Sequence, residues 1–299
     1  MTDTRIALLP DRGVVTVRGD DAEKLLQGVI TNDMVLLQDQ PAIHAGLLTP
    51  QGKILFEFFV VRVPGGFCLE TSRDRTAELS DKLNLYKLRV KAEIEDASAD
   101  YTVAAFWGGP YELRKGGKPP LSFADPRLPE MGFRELVTMR TDWALGGEDA
   151  NTATQDDYHA HRIALGVPEG GKDYVFGDTF PHEALFDQLQ GVSFEKGCYV
   201  GQEVVSRMAN RGTARRRVVP VVGETALPES GADIVAGGVT IGRLGSTAGT
   251  RGLALLRLDR AAEMSGEGAN LDAGDVPVRI ELPSWAHFGL STKDSSASA

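Results

Sequence analysis

The fold assignment depends on one stretch, GVSFEKGCYVGQEVVSRMANRG, at residues 191–212. A glycine stands on either side of the Cys198-Tyr199 pair, and glycine allows a backbone to turn sharply or to approach a ligand closely. Residues 202–211 have apolar side chains at helical spacing, which predicts a helix directly after this loop. Cys198 then lies just before a helix N-terminus and two residues after Lys196, and both features favour a thiolate. The alternative interpretation is an inert, buried cysteine in a tight loop.

The charge of this region is opposite to that of the whole chain. The 299 residues carry 32 basic and 42 acidic side chains, and the net charge of −10 argues against a general nucleic-acid binder. Residues 196–217 instead contain six cations and one acid. Such a local positive zone suits an anionic small ligand or a short stretch of RNA phosphate. The other interpretation is a solvated surface whose cations pair with carboxylates elsewhere.

Composition and length narrow the class of protein. The chain is 42% hydrophobic and 25% charged, which is typical of a globular protein, and at about 150 residues per domain its length predicts two or three domains. No apolar run approaches the ~20 residues that a membrane span needs. The N-terminus has no basic-then-apolar leader, so a cytoplasmic location without membrane association is expected. Two cysteines build neither a disulfide framework nor a four-cysteine metal site, so no intrinsic metal is expected.

The residue pattern predicts α+β structure followed by an all-β segment. Asp20 and Glu23 resemble a capping box at a helix N-terminus. The other predicted elements of the first part are strands at 54–63, 67–70 and 90–94 and helices at 76–88 and 156–165, with a loop-dominated stretch at 108–129. After residue 215 the period changes to two, with predicted strands at 215–222, 234–244, 252–258 and 276–282. Glycine pairs between these strands indicate a small antiparallel barrel or sandwich.

Two other motifs are better explained by structure than by chemistry. GVPEGGKD at 166–173 has the glycine and lysine spacing of a phosphate-binding loop, but Asp173 replaces the hydroxyl that would hold magnesium, and the segment follows a helix. His159 and His161 are two residues apart, so on a helix they point in different directions and cannot chelate one metal together. A helix-ending loop and a helical surface are the simpler interpretations.

KGCYVGQE at 196–203, followed by Arg207, resembles the signature of the YgfZ family. These are folate-binding proteins related to the glycine-cleavage T-protein (aminomethyltransferase), and they act in iron–sulfur cluster assembly or repair. Further stretches that resemble the family are GDDAEKLLQGVITND at 19–33, LTPQGKI at 48–54, RIALGVP at 162–168 and PHE at 181–183. The resemblance covers roughly residues 5–285.

The resemblance implies an α+β fold, a T-protein-like three-part ring with ferredoxin-like α+β lobes and a C-terminal antiparallel β-barrel. The implied parts are an N-terminal folate-binding lobe at 1–105, a second lobe at 106–212, the barrel at 213–288 and a disordered tail at 289–299. The implied ligand is tetrahydrofolate or a one-carbon derivative. The implied partners are iron–sulfur assembly proteins or client enzymes, and tRNA modification is the one nucleic-acid connection left open.

The resemblance also implies roles for individual residues. Cys198 is the expected catalytic residue. The other expected functional residues of the motif are Lys196, Gly197, Tyr199, Gly201, Gln202, Glu203 and Arg207. The expected cofactor-binding residues are Asn32, Asp33 and Arg162.

The chain departs from true aminomethyltransferases at two positions. Where their strand carries adjacent aspartates, this chain has Phe56 and Glu57, so the first, catalytic acid is replaced by an apolar ring. A folate-contacting glutamate of those enzymes corresponds to the methyl group of Ala164. An accessory role in iron–sulfur assembly is therefore expected. The alternatives are a one-carbon transferase that uses Glu57 or Asp33 as its acid, and a module that binds tRNA through residues 207–217.

Overall fold

The chain divides into two compact units. The computed structural model describes residues 4–110, 121–138, 151–211, 214–266 and 269–289. The first unit consists of residues 1–50, 54–158 and 189–202, and the second of residues 51–53, 159–188 and 203–299. The domain boundaries expected after residues 105 and 212 remain predictions, and the expected disordered tail lies, from residue 290 onward, outside the described residues.

Two five-stranded sheets form most of the first unit. The strands are β1 (Arg5–Leu8), β2 (Arg12–Arg18), β3 (Ala42–Leu48), β4 (Ile54–Val63), β5 (Gly66–Ser72), β6 (Glu93–Asp96), β7 (Tyr101–Trp107), β8 (Leu121–Ala124), β9 (Phe133–Thr138) and β10 (Asn151–Thr152). One sheet has the order β3-β4-β5-β2-β6 and the other β10-β1-β7-β9-β8. All neighbouring strands are antiparallel except β1 and β10, which are parallel.

Two helices share a hydrophobic core with the β3-β4-β5-β2-β6 sheet: α1 (Ala22–Val29) and α2 (Thr76–Lys87). The apolar residues of α1 recur at helical spacing and are buried, as the sequence predicts. The expected capping box is wrong, because Asp21 is the N-cap residue and its side chain makes no capping bond. The strand expected at 90–94 is β6, and it begins only at residue 93.

The two sheets of the first unit meet through buried charges around Phe59. The ring of Phe59 lies 4.9 Å from the guanidinium carbon of Arg127 and 4.7 Å from that of Arg134. Arg134 donates to Glu70 at 2.6 Å across the sheets, and Arg127 donates to Asp125 at 2.7 Å. Burial would raise the pKa of Asp125, but Arg127 and Arg134 lower it well below its usual value. All these charges are therefore compensated inside the unit.

The second unit is built around a closed β-barrel. Its elements are β11 (Arg216–Gly223), β12 (Asp233–Ala236), β13 (Val239–Ala248), β14 (Arg251–Arg257), α5 (Leu258–Gly266), β15 (Leu271–Ala273) and β16 (Val276–Ile280). The strand order β11-β14-β13-β12-β15-β16 is antiparallel throughout, which confirms the predicted C-terminal barrel. The single strand expected at 234–244 is two strands, because Gly237 and Gly238 adopt positive φ and form a hairpin turn.

Two further helices each begin in the first unit and end in the second: α3 (Gln155–Leu165) and α4 (Gln202–Arg211). Both match the sequence prediction within one residue at each end. Among the described residues, no helix is long and apolar enough to cross a membrane.

Replacing Arg134 with methionine tests the buried charges of the first unit. We expect Arg134→Met to lower the free energy of unfolding by about 3 kcal/mol, because the buried carboxylate of Glu70 loses one of its two cations and keeps only Arg12, at 2.7 Å. Urea unfolding measures this change. The matched control is Arg62→Met, which removes a half-exposed ion pair with Glu23 and should cost at most about 1 kcal/mol. Equal effects of the two substitutions would show that the buried pair has no special role.

Candidate functional site

The segment that leads to Cys198 is held within the first unit by hydrogen bonds to its backbone from the loop after α1. Residues 189–196, here called the anchored segment, form no helix or strand. Thr31 Oγ1 donates to the Gly191 carbonyl at 2.6 Å, and the Ser193 amide donates to the Thr31 carbonyl at 3.0 Å. The Asn32 amide group donates to the Gln190 carbonyl at 2.7 Å. The backbone of the anchored segment is therefore placed by the loop that follows α1.

Lys196 makes the strongest of these attachments. Its ammonium group donates three hydrogen bonds at 2.8, 2.8 and 2.7 Å, to the carbonyl oxygens of Gln27, Ile30 and Asn32. These carbonyls lie at the C-terminal end of α1, where carbonyl groups lack partners inside the helix and where a cation is favoured. Lys196 is only 6% exposed, and burial lowers its pKa to about 8, although Asp33 acts in the opposite direction.

Cys198 lies two residues beyond this attachment and is an exposed, free thiol. A Cβ atom at Gly197 would contact nothing within 4 Å, so the loop is open on that side. Gly201 has φ +82°, a conformation that glycine adopts without strain, and it connects the loop to α4. The second cysteine differs, because Cys68 is buried and burial raises the pKa of its thiol. Cys198 is thus the accessible thiol of the chain.

Tyr199 turns in the opposite direction from its neighbour. Its side chain is 7% exposed, and its ring lies 5.2 Å from the Lys196 ammonium. Its hydroxyl group is buried and has no hydrogen-bond partner among the described residues. Burial raises the pKa of this phenol to about 12, so the group is a neutral donor at physiological pH. An unpaired buried hydroxyl costs about 1–3 kcal/mol, and a ligand can recover that cost.

The predicted cofactor-binding residues lie in different parts of the molecule. Asn32 is buried beside the anchored segment, and its amide also donates to the His44 carbonyl at 2.8 Å. Asp33 accepts hydrogen bonds from the Val35 amide and from the side chain of Gln27. The structure brings both residues next to Lys196. Arg162 belongs to the second unit.

Arg162 is a buried structural centre of the second unit. Its guanidinium donates to Asp173 and to the Ser246 hydroxyl, both at 2.6 Å, and to His159 Nδ1 at 3.0 Å. Asp173, the residue that spoils the phosphate-loop pattern, is therefore the counter-ion of Arg162. In the described part of the chain, no group of three His, Cys, Asp or Glu side chains could hold a metal ion.

The remaining motif residues and the positive zone lie along α4 and the start of the barrel. Gln202 is the first residue of α4, and Arg207 donates to Glu203 at 2.6 Å as an exposed i,i+4 pair. Arg216 pairs with Glu183 and Arg217 with Asp187. Most of the cations at 196–217 whose side chains the structure describes are therefore bound. These three arginines bind carboxylates, and Lys196 binds carbonyls.

His44 is the site residue that sequence reasoning missed. Its Nδ1 lies 2.9 Å from the Leu189 carbonyl, so Nδ1 carries a proton, and its Nε2 lies 3.0 Å from Glu57 Oε1. The ring of His44 therefore connects the strand that carries Glu57 to the Leu189 carbonyl of the anchored segment. The available signal was a polar residue in the middle of each of two apolar strands, His44 in β3 and Glu57 in β4. Phe56, next to Glu57, is buried and provides no acid.

The low pKa of Lys196 predicts a pH-dependent stability. The unfolded chain binds the lysine proton up to about pH 10.5, whereas the folded chain releases it near pH 8. Stability therefore rises with pH between these values, by up to about 3 kcal/mol in total. We expect the difference in unfolding free energy between wild type and Lys196→Met to increase over this interval. Urea titrations at both ends of the interval measure it.

The matched control for this pH series is Lys24→Met, since Lys24 is an exposed lysine of the neighbouring helix α1. The difference in unfolding free energy between Lys24→Met and wild type should stay constant between the same two pH values. A constant difference for Lys196→Met as well would mean that its ammonium group is not perturbed by burial.

Comparison with known proteins identifies the barrel domain and the fold of this chain. Residues 215–288 match the family model described as the CAF17 C-terminal beta-barrel domain. The solved structure of glycine cleavage system aminomethyltransferase T from Bartonella henselae superposes with a TM-score of 0.75 at 16% identity, covering 95% of this chain and 87% of that one. This likeness confirms the expected T-protein-type fold.

Relatives similar in sequence carry a common description. The iron-sulfur cluster assembly factor IBA57 homolog, mitochondrial, of Mycosarcoma maydis is 34% identical over 230 residues, which are 73% of this chain but only 57% of that protein. The chain therefore spans little more than half the length of that relative. The iron-sulfur cluster assembly factor IBA57, mitochondrial, of Homo sapiens is 33% identical over 307 residues, covering 93% of this chain and 84% of the human protein. With this identity and coverage, the chain belongs to the family of the IBA57 iron-sulfur cluster assembly factors.

Proposed function

We propose that this protein is a folate-binding accessory factor for the assembly or repair of iron–sulfur proteins, with Cys198 as its reactive centre. The relatives are named as iron-sulfur cluster assembly factors, which supports the first part. Its proposed partners are iron–sulfur assembly proteins or client enzymes. The relatives are also named as mitochondrial, and the cytoplasmic location expected from the sequence remains a prediction.

The observation that carries the proposal is an exposed thiol on a fixed backbone. Cys198 is exposed, while Lys196 is held by three carbonyls and the anchored segment by three further hydrogen bonds. A thiol that served only packing would be buried, as Cys68 is. Positioning an accessible sulfur in this way suits a group that must meet a partner's reactive atom.

The number of cysteines limits what the thiol can do with a cluster. Iron–sulfur clusters are usually held by four cysteine thiolates, and this chain has two cysteines, one of them buried. Cys198 therefore provides one ligand for a cluster in transit, and the partner protein provides the others. The thiol loses its proton to solvent when its sulfur binds iron. Exchange with a sulfur species and attack on a one-carbon unit are the other reactions open to it.

Folate is the proposed ligand beside this thiol. The unpaired, buried hydroxyl of Tyr199 can donate to a nitrogen or oxygen of the ligand, which is an observation that fits a polar heterocycle. Asp33 and Asn32 border Lys196 and are the other proposed contacts from the first unit. Arg162, the third residue expected to contact folate, is buried in the second unit with its guanidinium bonded to Asp173 and Ser246, and its role in folate binding stays a prediction. Folate bound beside Lys196 would carry one-carbon units close to the Cys198 thiol.

Two observations weigh against the alternatives. A one-carbon transferase would need a free carboxylate, but position 56 is a buried phenylalanine and the Glu57 carboxylate is bonded to His44. The other candidate acid, Asp33, accepts hydrogen bonds from the Val35 amide and the Gln27 side chain. A tRNA-binding module would need free cations, but of the four arginines with described side chains in residues 207–217, three (Arg207, Arg216 and Arg217) pair with carboxylates, which leaves Arg215 for a phosphate.

The reactive role of Cys198 is tested by Cys198→Ser in a strain that lacks the native gene. We expect the activity of iron–sulfur client enzymes to fall by about tenfold or more, because serine is a poor iron ligand at neutral pH. Calorimetric titration with tetrahydrofolate should give the same affinity for Cys198→Ser and wild type. Cys68→Ala is the matched control and should support client enzymes normally. Full client activity with Cys198→Ser would refute the reactive thiol.

The folate contact is tested by Tyr199→Phe. We expect this substitution to raise the free energy of unfolding by about 1–2 kcal/mol, because it removes a buried hydroxyl without a partner. The same substitution should weaken tetrahydrofolate binding by about tenfold, since the ligand loses a hydrogen bond. Tyr86→Phe on α2 is the control for both measurements. Unchanged folate affinity in Tyr199→Phe would exclude the hydroxyl from the ligand site.

A further inference from the structure

The C-terminal end of α2 exposes two leucines that the fold does not use. Helix α2 buries Leu79 and Leu83 in the core of the first unit. Leu85 is 69% exposed, and Leu88, directly after the helix, is 88% exposed. Two large apolar side chains three residues apart thus stand in water at one place, where neither contributes to the core.

The backbone at Leu88 adds a second observation. Leu88 has φ +44° and ψ −104°, a conformation that glycine adopts freely and other residues rarely do. Such a residue costs about 1–3 kcal/mol, and strain of this kind is concentrated at functional sites. Because the side chain is almost fully exposed, packing does not repay the cost. Stability alone would favour glycine at this position.

The segment after Leu88 is rigidly attached to the start of α1. The Lys91 amide donates to Asp21 Oδ2 at 2.9 Å, and the Asp21 amide donates to the Lys91 carbonyl at 3.2 Å. The Val90 amide donates to the Lys87 carbonyl at 2.7 Å. A Cβ atom at Gly19 would lie 2.6 Å from the Lys91 carbonyl oxygen, so only glycine permits this approach. The backbone next to the exposed Leu88 is therefore held in place by hydrogen bonds to the start of α1.

Two cavities flank this backbone segment, and Val90 lines both of them. The larger, about 610 Å³, is lined by Asp21, Lys24, Leu88, Arg89 and Val90. The smaller, about 430 Å³, is lined by Arg18, Gly19, Asp20, Lys87, Val90, Lys91, Ala92 and Glu93.

The charged groups around these cavities are mostly unpaired cations. Among the described residues, no carboxylate lies within ion-pairing distance of the side chains of Lys24, Lys87, Arg89 and Lys91. Three of these four cations, Lys87, Arg89 and Lys91, lie within residues 82–92, which contain no acid, in a chain of net charge −10. The acids that face the same cavities are Asp20, Asp21 and Glu93.

We infer that the exposed leucines and the four unpaired cations, together called the α2-end surface, dock an acidic amphipathic segment of a partner protein. Leucine side chains of that segment would cover Leu85 and Leu88, and its carboxylates would pair with the cations at the rim. Complementary charge of this kind guides encounter and fixes register. Binding of such a segment would explain both the four unpaired cations and the strained backbone of Leu88.

The acids in the cavities favour a peptide over a lipid surface. A bilayer presents a continuous plane of negative headgroups, which would also meet Asp20, Asp21 and Glu93 and be repelled by them. A folded peptide places its carboxylates at separate points and can leave those three acids facing solvent.

This surface is independent of the proposed reactive centre. Lys196 binds the C-terminal end of α1, whereas Asp21 and Lys24 lie at its N-terminal end. At 1.5 Å per residue, the eight residues of α1 separate the two ends by about 12 Å. The inference goes beyond the proposed function, because docking here needs neither the thiol nor folate.

A synthetic acidic peptide, EELLDELLEE, tests the surface on the full chain. Methyl resonances of Leu85 and Leu88 should shift on titration and saturate, and a lysine version, KKLLKKLLKK, should leave them unchanged. Leu88→Gly combined with Arg89→Glu should weaken peptide binding, measured by fluorescence anisotropy, by about tenfold or more. Its unfolding midpoint should stay level or rise, because glycine relieves the strained backbone.

The matched control is Val239→Ser with Arg243→Glu on β13, which alters an exposed valine and an exposed arginine and should bind the peptide as wild type does. If the first double variant does not fold, Leu85→Ser replaces it. Absent peptide binding, or equal binding by wild type and variant, overturns the inference. Variant-sensitive binding to phosphatidylglycerol vesicles without peptide binding assigns the surface to lipid, and variant-sensitive self-association in sedimentation assigns it to a second copy; either overturns it too.

Discussion

One buried ammonium group sets the geometry of the candidate site. Lys196 enters the first unit at the end of α1 and supplies three donors to carbonyls that the helix leaves without partners. A side chain without donors would leave these three carbonyls without the bonds that Lys196 makes, so the residue type is constrained. Cys198 is accessible because the attachment ends two residues before it. The constraint on Lys196 thus determines where the thiol stands.

The first unit buries many charges and compensates each of them locally. Arg134 and Arg127 lie on Phe59 and pair with carboxylates, while His44 Nε2 lies 3.0 Å from Glu57 Oε1 and His44 Nδ1 contacts the Leu189 carbonyl of the anchored segment. In a low-dielectric interior, paired charges give specificity of position more than net stability. The unit therefore behaves as a rigid support whose polar interior fixes one register of the anchored segment.

The sequence was most informative where a local pattern decides the structure. The bounds of β4 and α4 follow from unbroken apolar or helical periodicity, and the KGCYVGQE motif identified the loop of Cys198. The barrel was predictable as a class, but the glycine pair at 237–238 was read as part of one strand. Strand β6 began later than expected because the Lys91 backbone bonds to Asp21, seventy residues earlier. His44 was missed for a similar reason: its bonds to Glu57 and Leu189 are tertiary, and no local pattern encodes them.

The attachment of Lys196 also orders events during synthesis. The carbonyls of α1 are made about 160 to 170 residues before the lysine that satisfies them. A nascent chain that has emerged only as far as the two sheets therefore has an incomplete first unit, with the end of α1 still open to water. Folding of the N-terminal part cannot be finished before the motif has left the ribosome, although domains commonly fold in order of synthesis. The segment that leads to the exposed thiol of Cys198 is thus also the one that completes the N-terminal unit, and a chain truncated before it would lack both.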